Sequence, residues 1–219
     1  LQGISSETAS NNSLLLEDTL DFRSIMVQTL SLILLTAREL DELRELLRFS
    51  LEPSAPDEAT SLFIKMYECW CHNPVATLAL CLLAQAYDLA ASLVTHFTLV
   101  DVTVGFLMQA DKLVQLLESP IFLQLRLQLL EVHAVYHPLL LKSLYGLLML
   151  LPQSAAFSIL SNRLSTIVTL QQHTKKLNNL ERSCVRPNIQ KRELLASFKH
   201  IQSLHTQARQ IMIHRREAS

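Results

Sequence analysis

Glycine is nearly absent from this 219-residue sequence, which holds only Gly3, Gly105 and Gly146. Sandwiches, barrels and doubly wound sheets turn through many positions of positive φ, where glycine is the default residue, so three glycines argue against all of them. The same scarcity leaves no phosphate-cradling glycine-rich loop, and no G-x-S-x-G elbow occurs. Aromatic residues make up only 6% of a chain that is 49% hydrophobic. Leucine supplies most of the apolar content, and long leucine-rich stretches joined by short connections indicate an all-α fold.

The four cysteines, Cys69, Cys71, Cys81 and Cys184, lack the even spread of a secreted disulfide framework and favour a reducing compartment. Neither a basic cluster nor a short apolar core opens the chain, so no signal peptide is read there. The missing initiator Met fits a fragment of a longer protein. Two apolar runs invite a membrane reading. Leu139 to Leu151 is interrupted by Lys142 and stopped by Pro152, and Ile25 to Leu35 carries Gln28. Both fall short of the roughly 20 residues that cross a bilayer, and both are expected as fully buried helices of a bundle.

The formal net charge of −1 hides an asymmetry. Residues 173–219 carry ten Lys/Arg against three Asp/Glu, while residues 1–172 carry nine against seventeen. Opposite charge on two segments favours their docking, within a chain or between chains. The basic positions Lys175, Lys176, Arg182, Arg186, Lys191 and Arg192 are not interleaved with aromatics for base stacking, which argues against nucleic acid. Clustered bases do suffice for weak attraction to acidic lipid headgroups.

Along the chain, residues 1–13 are small and polar and are expected as a disordered lead-in. Residues 14–170 form the helical-repeat domain, 171–188 a basic linker and 189–215 a last long helix. Within the domain, an apolar helix from about Glu17 to Leu35 precedes an amphipathic stretch. Its Leu40, Leu43, Leu46 and Leu47 share one face, opposite a ladder that includes Arg44 and Arg48. Asn73-Pro74 and Ser119-Pro120 each pair a good N-cap with Pro at the first helical position. With His137-Pro138 and Leu151-Pro152 they divide the rest into helices over about 57–72, 74–87, 88–97, 101–118, 120–133, 138–151 and 153–170. Such closely spaced helices make antiparallel neighbours. Val100, Val102, Val104 and Phe106 alternate like a strand, but Val102, Phe106, Ala110, Leu113, Val114 and Leu117 fit a helical stripe over a longer window. In the last helix, Leu194, Phe198, Ile201, Leu204, Ala208 and Met212 build a seam with His205 as its polar position. That seam serves either folding back onto the domain or an oligomer interface.

Chemistry-bearing arrangements are few. Cys69, Cys71 and His72 sit together, yet residues 69 and 71 point about 200° apart on a helix and no second ligand pair follows, so packed core thiols are expected. His133 and His137 stand four apart without the Glu of a metalloprotease helix, and Pro138 interrupts the helix they would share. The residues call for no metal, no cofactor and no catalytic group.

Three strings have a more specific likeness: Trp70-Cys-His-Asn-Pro74 leading into LALCLLAQAY at 78–87, DKLVQLLESPIFLQLRLQLLE at 111–131, and HPLLLKSLYGLLMLLPQSAAFSILSNRL at 137–164. They resemble the C-terminal region of the vacuole-morphology (ArPIKfyve) family of HEAT-repeat scaffolds, the associated regulators of the PIKfyve-type lipid kinase. The resemblance covers roughly residues 60–165. It implies the end of a HEAT-like α-solenoid built of antiparallel helical hairpins, without catalytic residues. It also implies partners: a second copy of itself, the kinase that makes phosphatidylinositol 3,5-bisphosphate, and the Sac-domain phosphoinositide 5-phosphatase that opposes it. The implied location is the cytosolic face of endosome and vacuole membranes, held peripherally through the complex. Interface candidates in the matching string are Tyr145, Gly146, Met149, Pro152 and Gln153. Gly146 costs about 1 kcal/mol in a helix interior relative to Ala, which close approach of another helix, in the same or a partner chain, would explain. A helical adaptor of endomembrane traffic with unrelated partners is the alternative.

Overall fold

Residues 2–97, 100–174 and 191–217 are described by the structure, a computed structural model, with side chains described for residues 17–97, 100–170 and 191–213. Among the described residues the chain is all-α, with ten α-helices and no strand. They are α1 (Gln2–Leu34), α2 (Asp41–Phe49), α3 (Asp57–Trp70), α4 (Pro74–Leu83), α5 (Tyr87–His96), α6 (Val104–Leu117), α7 (Leu123–Gln128), α8 (His137–Leu150), α9 (Ala155–Thr174) and α10 (Lys191–Glu217). Short 3₁₀ turns, Arg38–Leu40 and Pro120–Phe122, precede α2 and α7.

α4 is the hub. Every residue from Val75 to Leu83 is buried, and α1, α2, α3, α5 and α6 all pack on it. Asn73 starts it as expected, its side-chain oxygen accepting from the Ala76 N–H at 3.0 Å ahead of Pro74. Its end comes earlier than the expected residue 87. Gln85 adopts φ 57°, Ala86 N–H reaches Cys81 O at 2.8 Å, and Gln85 N–H reaches Leu82 O at 3.3 Å. That pattern closes a helix through a left-handed residue, here without glycine. The Gln85 side-chain carbonyl accepts from Gln128 Nε2 at 2.8 Å, and Gln128 in turn accepts from the Tyr87 hydroxyl. This buried polar relay helps hold the unfavoured backbone in place.

Other helix ends are closed by side chains of later residues. Arg44, expected on a solvated ladder, is buried and donates to Leu34 O and Ala37 O, both at 2.7 Å, at the end of α1. Arg126 does the same for α6 through Leu117 O (2.7 Å) and Ser119 O (2.6 Å). His137 Nε2 donates to Leu129 O at 3.0 Å, just past α7. Each satisfies carbonyls that a helix terminus leaves orphaned.

Several boundaries differ from the sequence reading. The α1 backbone is helical from Gln2, where a disordered lead-in is expected; Leu14–Leu16 continue the apolar run N-terminally, so helix propagates across the polar residues at one hydrogen bond per residue. Ser119-Pro120 starts a 3₁₀ turn without a side-chain cap, and α7 stops at Gln128 because tight turns occupy 131–136. His133 is exposed in that segment while His137 begins α8, so the two histidines share no helix face. α6 starts at Val104, capped by Thr103 Oγ1 accepting from Phe106 N–H at 3.1 Å, and buries Phe106, Ala110, Leu113, Val114 and Leu117; Val102 lies outside it. The linker proposed for 171–188 falls on α9 backbone up to Thr174 and outside the described residues beyond it.

Candidate functional site

α10 accounts for the last seam. Leu194, Phe198 and Ala208 are buried, Ile201, Leu204 and Met212 half-buried, and the helix lies against α1, α3 and α5 of its own chain. Phe198 packs tilted against Phe97 at 6.3 Å, and Phe97 meets Phe106 edge-on at 5.6 Å. Lys191–Asp88 (3.1 Å) and Arg209–Asp101 (3.7 Å) pair the basic helix with acidic positions of the body. These pairs are half-exposed and contribute little energy. They do fulfil the charge asymmetry inside one chain. Within one chain the buried residues of this seam lie against α1, α3 and α5, the folded-back arrangement of the two that the seam allows.

At the polar position of the seam, His205 Nε2 lies 3.1 Å from His72 Nδ1, with the rings edge to face. Burial lowers the pKa of both. For His205 the neighbouring His72, Arg209 and Arg23 lower it further, to about 4, and Arg23 adds to the effect on His72. Beside the pair, Gln202 Nε2 donates to Cys71 O at 2.7 Å and Asn73 Nδ2 lies 3.5 Å from Ser24 Oγ. A cation is disfavoured here by the two arginines. Among the described residues no group of three or more His, Cys, Asp or Glu is arranged to hold a metal. Cys71 and Cys81 are buried and their thiols are raised above the usual range, mainly by burial, while Cys69 is exposed. Cys184 lies outside the described residues. Trp70 is a core residue.

Gly146 has an intramolecular explanation. A Cβ there would stand 2.0 Å from Val94 Cγ1 and 3.2 Å from Val94 Cβ, so glycine lets α8 settle onto α5. Tyr145 is half-buried against the core. Met149, 83% exposed, and Gln153 project from the end of the same string, and Pro152 lies at the edge of a groove. Of the five interface candidates, only Pro152 belongs to that groove.

The groove, about 720 Å³, runs between α1 and α6 over a floor of α4. Ala76 and Ala79 make the floor shallow-sided, since small side chains leave the space open. Leu32 comes from α1 and Leu35 from the turn just after it; Val104, Met108 and Leu116 come from α6. Val104 and Met108 are 75% and 69% exposed, although both are apolar. One rim is polar, with Gln109 Nε2 donating to Gln28 Oε1 at 3.0 Å, and Asp111 accepting from Ser154 Oγ at 2.6 Å. Outside the groove α1 exposes Phe22, Ile25, Met26 and Ile33. This corrects the expectation that Ile25–Leu35 is fully buried. No single helix among the described residues is long and apolar enough to cross a membrane. Contiguous exposed apolar surface of this kind marks an interaction site.

Sequence reasoning missed Leu32, Val104 and Met108. The available signal was their position off the core stripes of α1 and α6, in apolar residues where a solvated helix places polar ones.

Comparison with known proteins fits this arrangement. The profile of the family described as "Vacuolar protein 14 C-terminal Fig4p binding" matches residues 6–167, from α1 into α9. Protein VAC14 homolog of Arabidopsis thaliana is 56% identical over 154 residues, covering 70% of this chain and 20% of that protein. Protein VAC14 homolog of Schizosaccharomyces pombe is 42% identical over 189 residues, covering 86% and 22%. Vacuole morphology and inheritance protein 14 of Saccharomyces cerevisiae is 35% identical over 190 residues, covering 84% and 21%. The chain thus spans about a fifth of the length of the curated relatives it matches. No solved structure matches it. By the extent of the profile match and by these identities, the chain belongs to the vacuolar protein 14 C-terminal, Fig4p-binding family.

Proposed function

We propose that this chain is a non-catalytic scaffold module that binds a Fig4-type Sac-domain phosphoinositide 5-phosphatase. In the assembly it belongs to, the scaffold self-associates and holds that phosphatase beside the opposing PIKfyve-type phosphatidylinositol 3-phosphate 5-kinase. Their balance sets phosphatidylinositol 3,5-bisphosphate levels at the cytosolic face of endosome and vacuole membranes, where the complex is peripheral. The observation that carries the reading is the large uncovered apolar surface of α1 and α6, lying wholly inside the segment matched by a family described through Fig4p binding. An apolar surface left open on a folded helical body is a surface waiting for a partner.

Titration calorimetry of the purified chain with purified Fig4-type phosphatase tests it. Saturable binding in the micromolar range or tighter is expected. No heat and no co-elution at tens of micromolar would overturn it.

A further inference from the structure

We infer that the α1–α6 groove seats one amphipathic helix of the phosphatase, with the exposed Leu32, Val104 and Met108 among its apolar contacts. The inference rests on the phosphatase-binding reading above and assigns it a place and a binding mode.

The groove selects a helix for a backbone reason. Its walls and floor are helices whose N–H and C=O groups are paired internally, so it offers no strand edge. An extended segment laid there would bury its own amides against leucine, valine and methionine without partners, whereas a helix brings its backbone already satisfied. The dimensions agree. The α6 wall from Val104 to Leu116 runs about 18 Å at 1.5 Å per residue, enough for three turns of an occupant. Three turns place apolar anchors at i, i+3 or i+4, and i+7. Ala76 and Ala79 on the floor let the occupant's axis come close.

Charge gives the occupant a direction. Asp21 and Glu17 lie seven and eleven positions before Gln28, on the line of α1 that faces the groove, and Asp18 is next to them. The groove therefore opens toward an acidic end, which suits Lys or Arg at one end of the incoming helix. At the groove itself Lys112 is the single basic lining residue, too little to draw anionic lipid. The chain's own last helix is not the occupant, because α10 is seated on α1, α3 and α5. Both walls and the floor fall within residues 6–167, the segment whose family is described by Fig4p binding, and α10 falls outside it. The description of that family names the phosphatase as the partner of this segment, and a second copy is an outcome of the test below.

The test uses the full chain and purified Fig4-type phosphatase in titration calorimetry. Leu32→Asp and Met108→Asp are expected to weaken binding at least 30-fold. Val104→Asp is the second variant in case either folds poorly, since an acidic residue in the first turn of α6 favours the helix. Ile159→Asp, at an exposed position of α9, is expected to bind like the parent. Asp21→Lys is expected to weaken binding several-fold and flatten its salt dependence. Hydrogen exchange on the phosphatase is expected to protect one continuous segment of about three turns, and Pro at its centre to abolish binding. If the parent chain binds and the three groove variants bind equally well, the groove assignment is overturned while the phosphatase reading stands. If the parent does not bind, the phosphatase reading itself is overturned. Groove variants that lower the mass in light scattering, or that release the chain from phosphatidylserine vesicles, yet keep phosphatase affinity, would reassign the groove to a second copy or to lipid. A protected segment that tolerates Pro would overturn the helical mode.

Discussion

His72 and His205, 133 positions apart in sequence, hold Nδ1 and Nε2 3.1 Å from each other and so join the turn between α3 and α4 to the middle of α10. Only one proton fits between two imidazole nitrogens at that distance, so one ring donates and the other accepts. Arg23 and Arg209 face the pair and oppose a second positive charge.

Acid is therefore expected to loosen this junction. Both folded-state pKa values lie below the ordinary histidine value, that of His205 at about 4. The unfolded chain binds more protons than the folded one between pH 6.5 and about 4, so stability falls as pH drops through that window and levels off below it. The slope for His205 approaches about 1.4 kcal/mol per pH unit at most. Urea unfolding at pH 7.5, 6, 5 and 4 measures it. His205→Gln should reduce the slope, and an unchanged slope would reject this origin.

Gly146→Ala is expected to destabilise despite the better helix propensity of alanine. The new methyl meets Val94 at 2.0 Å, and overpacking costs about 1–3 kcal/mol against a gain of about 1. The double variant with Val94→Ala should recover part of the loss, giving a favourable coupling in the double-mutant cycle. Additive effects would show that α5 and α8 are not in contact here.

Arg44→Met keeps the apolar stem and removes the guanidinium. The Leu34 and Ala37 carbonyls lose their donor, an expected cost of about 2–4 kcal/mol. Thermal melts of Arg44→Met and of the exposed-site control Arg38→Met separate this cap from a general charge effect.

Phe198→Ala should cost about 3–5 kcal/mol, as for a large buried aromatic. Because α10 packs on its own chain, the mass by light scattering should not change. A loss of mass without loss of stability would return the seam to an oligomer interface.

Maleimide is expected to label Cys69 promptly in the native chain and to spare Cys71 and Cys81, which are buried and protonated. Peptide mapping reads the three sites separately. Rapid labelling of Cys81, fully buried in the last turn of α4, would contradict the packing of the hub.

Much of the fold was legible because its signals are local and periodic. Phe106, Ala110, Leu113, Val114 and Leu117 locate α6 through their spacing, and Asn73-Pro74 marks the start of α4 through a cap. Three things were not. Arg44 looks like one more rung of a surface ladder, since a cap on carbonyls ten and seven residues away leaves no pattern. Gln85 closes α4 in a conformation that composition assigns to glycine. The exposed face of α1 reads as core because its residues are apolar almost all round. The groove was hidden for the same reason: a leucine or methionine that waits for a partner has the composition of one already buried.

The Arg44 cap has a kinetic consequence for the groove. α1 and the helices that follow it meet at an 85° corner, and the guanidinium grips the carbonyls at its vertex. These two bonds oppose swinging of the corner, and the Gln109–Gln28 hydrogen bond ties the α1 wall directly to α6. A ligand meeting such a rigid cleft has no opening step to wait for. Its capture rate is then set by diffusion and by the acidic end of α1, and its residence time by the apolar contacts alone.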